Sequence, residues 1–284
     1  MSSHSDIGDK PNFQHNGDTL SRQLTVQLSS EQYERLFFQP NAAKGDLAKR
    51  LGNPTLLGTL GFLVPFSVTL FSLLQFQGSS PTTIVAVSGT FYAFGGIPLI
   101  LAGIGEFIIG NTFPMTVFII FGAHFVYLGY TNDPLHAIEA FYGENGAGAL
   151  SQAYNSGQGH YSVVLALVAF IFLCGSLRTN VPFVIIFFSL IFLFSFLAAG
   201  YYQLGFNPTA AGASHAFYYF KIAGGFGFVA MIMGWYLAIV LSCASTGVPC
   251  PLPVFDLSSK LAPKSVDGAK EEHAGSGANP ALRA

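Results

Sequence analysis

Three ionisable side chains lie inside or at the edge of strongly apolar sequence, where a charge is costly and therefore informative: Glu106, His124 and Lys221. Glu106 sits in Gly105-Glu106-Phe107, shortly before Gly110-Asn111-Thr112. It reads either as a protonatable gate or as a carboxylate that snorkels to the lipid headgroups. His124 is either a packed, hydrogen-bonded neutral imidazole or a proton carrier. Lys221 is either an interfacial anchor or an attractor of anions at an outer mouth. These groups are too few for a charge relay deep in a membrane. No nucleophile–base pair or metal cluster accompanies them, so neither enzymatic chemistry nor a cofactor is expected. Cys174, Cys243 and Cys250 form no CxxC or Cys/His ligand spacing, which argues against a zinc site or a disulfide scaffold.

Helix ends offer a second kind of chemistry. The run Asn53-Pro54-Thr55-Leu56-Leu57-Gly58 predicts an abrupt helix start, because a residue before proline avoids the helical region and Pro54 suits a first turn. Free amide donors at such an N-terminus suit a carboxylate. Asn53, Pro54, Thr55 and Gly58 are therefore candidate entrance residues. A second Asn-Pro-Thr-x-x-Gly at Asn207–Gly212 suggests matched entrances of two three-helix halves in inverted topology. Gly89, Gly96, Gly103 and Gly110 recur every seven residues. Two helical turns cover about 7.2 residues, so the four would share one groove where backbones approach closely. That groove serves packing within one subunit or between subunits. Gly224, Gly227 and Gly234 repeat the device more loosely. Some of the 29 phenylalanines, if turned inward, would make a dry constriction that resists hydrated ions. Packing between helices is their simpler use.

The elements that position these residues follow from composition. Charged residues make up only 9% of the 284-residue chain and hydrophobic ones 51%, against roughly 25% charged in a soluble domain. Between Gly52 and Val248 the only Lys or Arg are Arg178 and Lys221, too few to cover a water-facing surface. A soluble enzyme, a disordered chain and a nucleic-acid binder are excluded; the net charge of −2 leaves no basic stripe for phosphates. Six apolar runs remain: Leu56–Phe76, Ile84–Ile109, Phe113–Tyr130, Tyr161–Leu177, Val181–Tyr202 and Lys221–Cys243. Each is long enough to cross about 30 Å of hydrocarbon as a helix. They do not alternate as barrel strands would. The expected fold is an all-α membrane protein with six transmembrane helices.

Residues 1–50 read as a polar tail with one short helical candidate near Ser29–Phe38, residues 51–247 as the six-helix domain, and residues 248–284 as a disordered tail. The first 20 residues contain no apolar h-region, so no cleaved signal peptide is expected. Eleven of the twelve Lys and Arg fall in the tails or at Arg178, whereas the connections 131–160 and 203–216 carry none. This asymmetry places both termini in the cytoplasm.

The Asn53–Gly58 entry resembles the Asn-Pro-Ala-Pro-Leu-Gly-Leu signature of the acetate uptake transporter family, which includes bacterial acetate/succinate permeases and fungal acetate and ammonia-export proteins. Gly95-Gly96, Ala102-Gly103 with Glu106, Gly110-Asn111-Thr112-Phe113, Gly175-Ser176-Leu177-Arg178 and Phe187-Phe188-Ser189-Leu190 follow in the family's order. The likeness spans about residues 51–245, and the long polar N-terminal tail looks like the fungal branch. The resemblance implies a plasma-membrane ring of six subunits, each with its own pore. It implies a monocarboxylate such as acetate as substrate, moved by proton symport or channel-like passage. It also implies a neck at Phe62, Phe121 and Leu190, an entrance at Asn53, and a polar set that includes Glu106 and Asn111. The sequence departs from the pattern at Leu56 (a second proline), Thr59 (a leucine), Phe121 (the neck tyrosine) and Leu99 (often glutamine). The changes at Phe121 and Leu99 make the route drier or less able to hydrogen-bond a carboxylate, and losing a donor to a desolvated anion costs roughly 1.5–3 kcal/mol. The expected partners are a small acid, the bilayer and further copies of the chain, with no nucleic acid. Two other readings stay open: a pore for ammonia or another small neutral solute, and a non-transporting membrane assembly or sensor that acts through its tails.

Overall fold

Helix ends fall where the sequence supplies caps. The computed structural model describes residues 51–143 and 148–257, so the helix expected near Ser29–Phe38 and the tail past residue 257 lie outside the described residues. Among the described residues six helices are long and apolar enough to cross a membrane: α1 (Thr55–Leu73), α2 (Pro81–Ile109), α3 (Thr112–Asn132), α4 (Gln152–Ser176), α5 (Val181–Phe206) and α6 (Ala210–Thr246). Among the described residues there is no strand, only an isolated bridge between Asn180 and Asp256. Asn180 caps α5 by accepting the Phe183 N–H at 3.0 Å, and Thr209 caps α6 by accepting that of Gly212 at 3.1 Å. Gly110 ends α2 in the left-handed region, φ 88°, which glycine adopts without a Cβ penalty.

Two helices start well before their apolar runs. α4 begins at Gln152 rather than Tyr161, and α6 at Ala210 rather than Lys221. Their first turns, QAYNSGQGH and AAGASHAFYY, are too polar or too small to register as apolar, yet they are capped and helical. The connections expected at 131–160 and 203–216 shrink accordingly. Among the described residues the first keeps two short helical turns, Ile138–Phe141 and Gly148–Leu150, and the second is little more than Asn207-Pro208-Thr209.

The seven-residue glycine groove is only half realised. α2 opens with tighter 3-10 winding over Pro81–Val87 and passes through a wider π turn at Phe91–Gly96 before regular helix from Ile97. These windings rotate Gly89 off the line of the others. Gly96 and Gly103 lie against Val126 and Ile119 of α3, but Gly89 meets nothing and Gly110 is the cap. The looser α6 set does pack within the chain: Gly224 against Leu73 and Leu74, Gly227 against Leu70 and Leu193, Gly234 against Leu63.

Packing follows these small residues. α1, α2 and α3 form one group, α4, α5 and α6 another, and α1 joins them by lying directly on α6. A bond from Trp235 Nε1 to Ser67 Oγ, 3.1 Å, ties the same seam. α3 stands further from α4 and α5, and side chains span the interval. Phe113 reaches Phe172 and Phe187 with ring centroids 6.2 Å apart in each pair, and the Tyr127 hydroxyl donates to Gln158 Oε1 at 3.0 Å. The two Asn-Pro-Thr-x-x-Gly copies head α1 and α6, the first helix of one group and the last of the other. They bond differently as well, so they do not mark matched entrances. Thr55 follows an Asx turn, whereas Thr209 is itself the cap.

The tail expected to be disordered from residue 248 is ordered over its first stretch. Val254 is buried in the core, the Tyr236 hydroxyl donates to the Pro253 carbonyl, and the backbone pairs with the α4–α5 turn through Val181 N–H to Phe255 O and Leu257 N–H to Thr179 O. Prolines 249, 251 and 253 have no N–H to donate, so the strap between Val248 and Phe255 is held by few backbone hydrogen bonds.

Candidate functional site

Two cavities lie end to end inside the helix assembly, along the interval between α1, α3 and α5. The proximal one, nearer the start of α1, has a volume of about 50 Å³ and is walled by Thr59, Val117, Phe183, Phe187 and Leu237 among others. The distal one has about 80 Å³ and is walled by Phe66, Leu70, His124, Phe125, Phe194 and Tyr201 among others. Such volumes hold several water-sized groups. Phe62, Phe121 and Leu190 are the residues common to both walls. They come from α1, α3 and α5. Phe121 is 3% exposed and Leu190 1%. The Phe62 ring sits edge-on to Phe121 at 5.3 Å and tilts over Phe66 at 4.7 Å between centroids. Edge-on contacts of this kind favour a fixed ring arrangement over a loose one.

The two cavities differ in polarity. Thr59 is the polar side chain on the proximal wall, and its hydroxyl already donates to the Thr55 carbonyl at 2.8 Å. The distal wall carries Thr69, His124, Asn132 and Tyr201. His124 is buried, with Nδ1 2.9 Å from the Tyr161 hydroxyl and the rings of Phe121, Phe125 and Phe194 around it. The Tyr127 ring tilts against that of Tyr161, with centroids 4.0 Å apart.

Below the proximal cavity, the start of α1 meets the end of α2. Asn53 Oδ1 accepts the Thr55 N–H at 2.9 Å, so one of the amide donors expected to be free at this helix start is taken by its own Asx turn. The Thr55 hydroxyl donates to Glu106 Oε1 at 2.6 Å, and Asn111 Nδ2 donates to Glu106 Oε2 at 2.7 Å. Glu106 is 0% exposed. It therefore does not snorkel; its carboxyl group is held inward and links three helices. Pro54 lies against Gly105, which lets the two ends approach. Asn111 Oδ1 is buried without a hydrogen-bond partner among the described residues.

Other expected path residues sit elsewhere. Leu99 is fully buried where α2 crosses α1 and α3, against Gly61 and Gly122, and lines neither cavity. Its apolar side chain satisfies a crossing, not a channel wall. Gly58 receives the Phe118 ring and is likewise a packing residue. Lys221 lies well inside α6, on an exposed face. Among the described residues no cluster of three or more potential metal ligands occurs. Sequence reasoning missed Tyr161, Tyr201, Asn132 and Phe125. The spacing of Phe121, Phe125, Leu128 and Asn132 on one helical face was a usable signal for the part of the distal wall that α3 supplies.

Residues 37–259 match the model of the GPR1/FUN34/yaaH family. The chain is similar to Protein alcS of Aspergillus fumigatus, with 34% identity over 239 residues, 82% of this chain and 86% of that protein. It is also similar to the acetate transporter protein patA of Aspergillus clavatus, 28% identical over 193 residues, which cover 68% of this chain and 74% of that one. In fold it is similar to the bacterial acetate channel SatP, with a TM-score of 0.54 and 21% identity across 72% of this chain and 99% of that chain.

Proposed function

Because the chain belongs to the GPR1/FUN34/yaaH family, we propose that it moves acetate, or a short monocarboxylate like it, across a membrane through the interior of its own six-helix bundle. Phe62, Phe121 and Leu190 form the constriction of that path. One observation carries the reading: these three residues are shared by the walls of two cavities that otherwise have different linings. A solute passing from one cavity to the other goes between them. A greasy neck raises the barrier to a hydrated ion through dewetting, so a small acid crosses it stripped of water or as the neutral form. Asn53, Pro54 and Thr55 shape the proximal entrance, and Glu106 with Asn111 holds its helix ends together. The chain spans the plasma membrane with both termini in the cytoplasm, as the placement of eleven of twelve Lys and Arg favours. Copies assemble as a ring of six, for which the exposed apolar face of α2 (Ile97, Leu101, Ile104, Phe107) supplies contact surface.

Uptake of radiolabelled acetate into proteoliposomes tests the neck. Phe62→Arg and Leu190→Arg are each expected to lower uptake at least tenfold while the purified protein elutes as wild type does; unchanged uptake in both would refute it. A second reading, passage of ammonia or another small neutral solute, is favoured by the proximal cavity, whose hydroxyl at Thr59 is already engaged. Internal pH separates the two. Entry of acetic acid acidifies the vesicle, and entry of ammonia makes it alkaline.

A further inference from the structure

The distal wall carries few polar atoms, and several are already committed. The Thr69 hydroxyl donates to the Pro65 carbonyl at 2.8 Å. The Asn132 amide donates to the Leu128 carbonyl at 2.9 Å and to the Thr131 hydroxyl at 3.3 Å. His124 differs. Its Nδ1 faces the Tyr161 hydroxyl at 2.9 Å, and among the described residues Nε2 makes no hydrogen bond. A phenol donates readily to an imidazole nitrogen. With Nδ1 accepting, a neutral ring carries its proton on Nε2. Nε2 is then the nitrogen left to the cavity that His124 lines.

Position gives this donor its meaning. His124 follows Phe121 by three residues on α3, so it stands about 5 Å to the distal side of the neck. Tyr201, whose hydroxyl also belongs to the distal lining, follows Leu190 on α5 by eleven residues and so lies about 16 Å beyond the neck, at the level of Asn132. Between His124 and the neck the wall is aromatic and aliphatic. On the proximal side the Thr59 hydroxyl is engaged. His124 is thus the last uncommitted donor before the constriction, on one side of it only.

We infer that His124 Nε2–H is a substrate-binding donor that receives a carboxyl oxygen one turn before the neck, and that Tyr161 is a positioning residue that fixes the imidazole tautomer. The assignment rests on the acetate reading above and adds to it the side of the neck on which the acid is held. A carboxyl oxygen that has shed water regains one hydrogen bond here, where no other free side-chain donor is close. The apolar rings of Phe121, Phe125 and Phe194 flank the imidazole, surroundings that suit the methyl group of a short alkyl acid better than a hydroxyl.

Concentration-dependent acetate uptake by the full chain in liposomes tests this with His124→Phe, His124→Gln and Tyr161→Phe. His124→Phe removes the donor and keeps a ring. It is expected to raise the half-saturating acetate concentration roughly tenfold, with a smaller change in maximal rate. His124→Gln retains an N–H of similar reach and is expected to stay within about threefold of wild type. Tyr161→Phe shifts the same constant in the same direction, because the ring is then free to turn its lone pair to the cavity. Wild-type affinity in His124→Phe overturns the donor role. So does a loss in His124→Gln as large as in His124→Phe, which would assign the residue to packing. A wild-type chain that moves no acetate defeats the transport reading itself, and that result is visible before any variant is compared.

Discussion

Thr55 and Asn111 each aim a donor at Glu106, at 2.6 and 2.7 Å, and so fasten the ends of α1, α2 and α3 around one buried carboxyl group. A polar atom stripped of its partner in such a place costs about 1–3 kcal/mol. Thr55→Val, which keeps the shape and removes the hydroxyl, is expected to lower the thermal unfolding midpoint in detergent by several degrees. Thr55→Ser, which keeps the hydroxyl, is expected to lie close to wild type; equal loss in both would mean that the methyl group, not the bond, matters. The polar residues around Asn53 thus hold the helix ends, while the residues that line the two cavities are mostly rings and aliphatic chains. His124 is one of the few polar side chains among them. Its type and position were plain in the sequence, but its partner was not, because Tyr161 lies on α4 and no spacing links the two.

At the level of elements, apolar run length was a good guide to how many helices exist and a poor guide to where α4 and α6 begin. Their first turns are rich in Gln, Gly and Ser in α4 and in Ala in α6, and caps rather than hydropathy start them. The seven-residue glycine repeat assumed one winding throughout, and α2 has three. The glycines therefore divide by surroundings rather than by spacing. Gly227 faces Leu70 and Leu193 at the α1–α6 seam, whereas Gly89 faces nothing within 4 Å. Overpacking a fitted contact costs about 1–3 kcal/mol or more. Gly227→Leu is expected to reduce folded yield and thermal stability sharply and Gly89→Leu to leave both nearly unchanged, as read by the monodisperse fraction and melting curve in detergent. The opposite ranking would contradict the seam. The level shared by Phe62, Phe121 and Leu190 was legible only through the family resemblance, since three residues on three helices carry no common spacing.

Across the whole molecule, α1 is pressed onto α6 while α3 stands off from α4 and α5, so the interior opens along one interval. Two cavities meet there at one set of side chains, and both belong to a single chain. In the ring assembly proposed above, each copy would bring its own pair of cavities. The strap that follows α6 pairs with the turn before α5, whose Phe183 lines the proximal cavity, and so braces that end of the bundle. The most direct test is chemical. In a background with Cys174, Cys243 and Cys250 changed to Ser, Leu190→Cys places one thiol at the neck of each chain. Internal pH of liposomes is followed after an acetate jump, before and after a bulky methanethiosulfonate reagent and again after reduction. Acidification that stops on modification and returns on reduction is the predicted result; acidification at the same rate in all three states, with modification verified by mass, would contradict a path through the bundle.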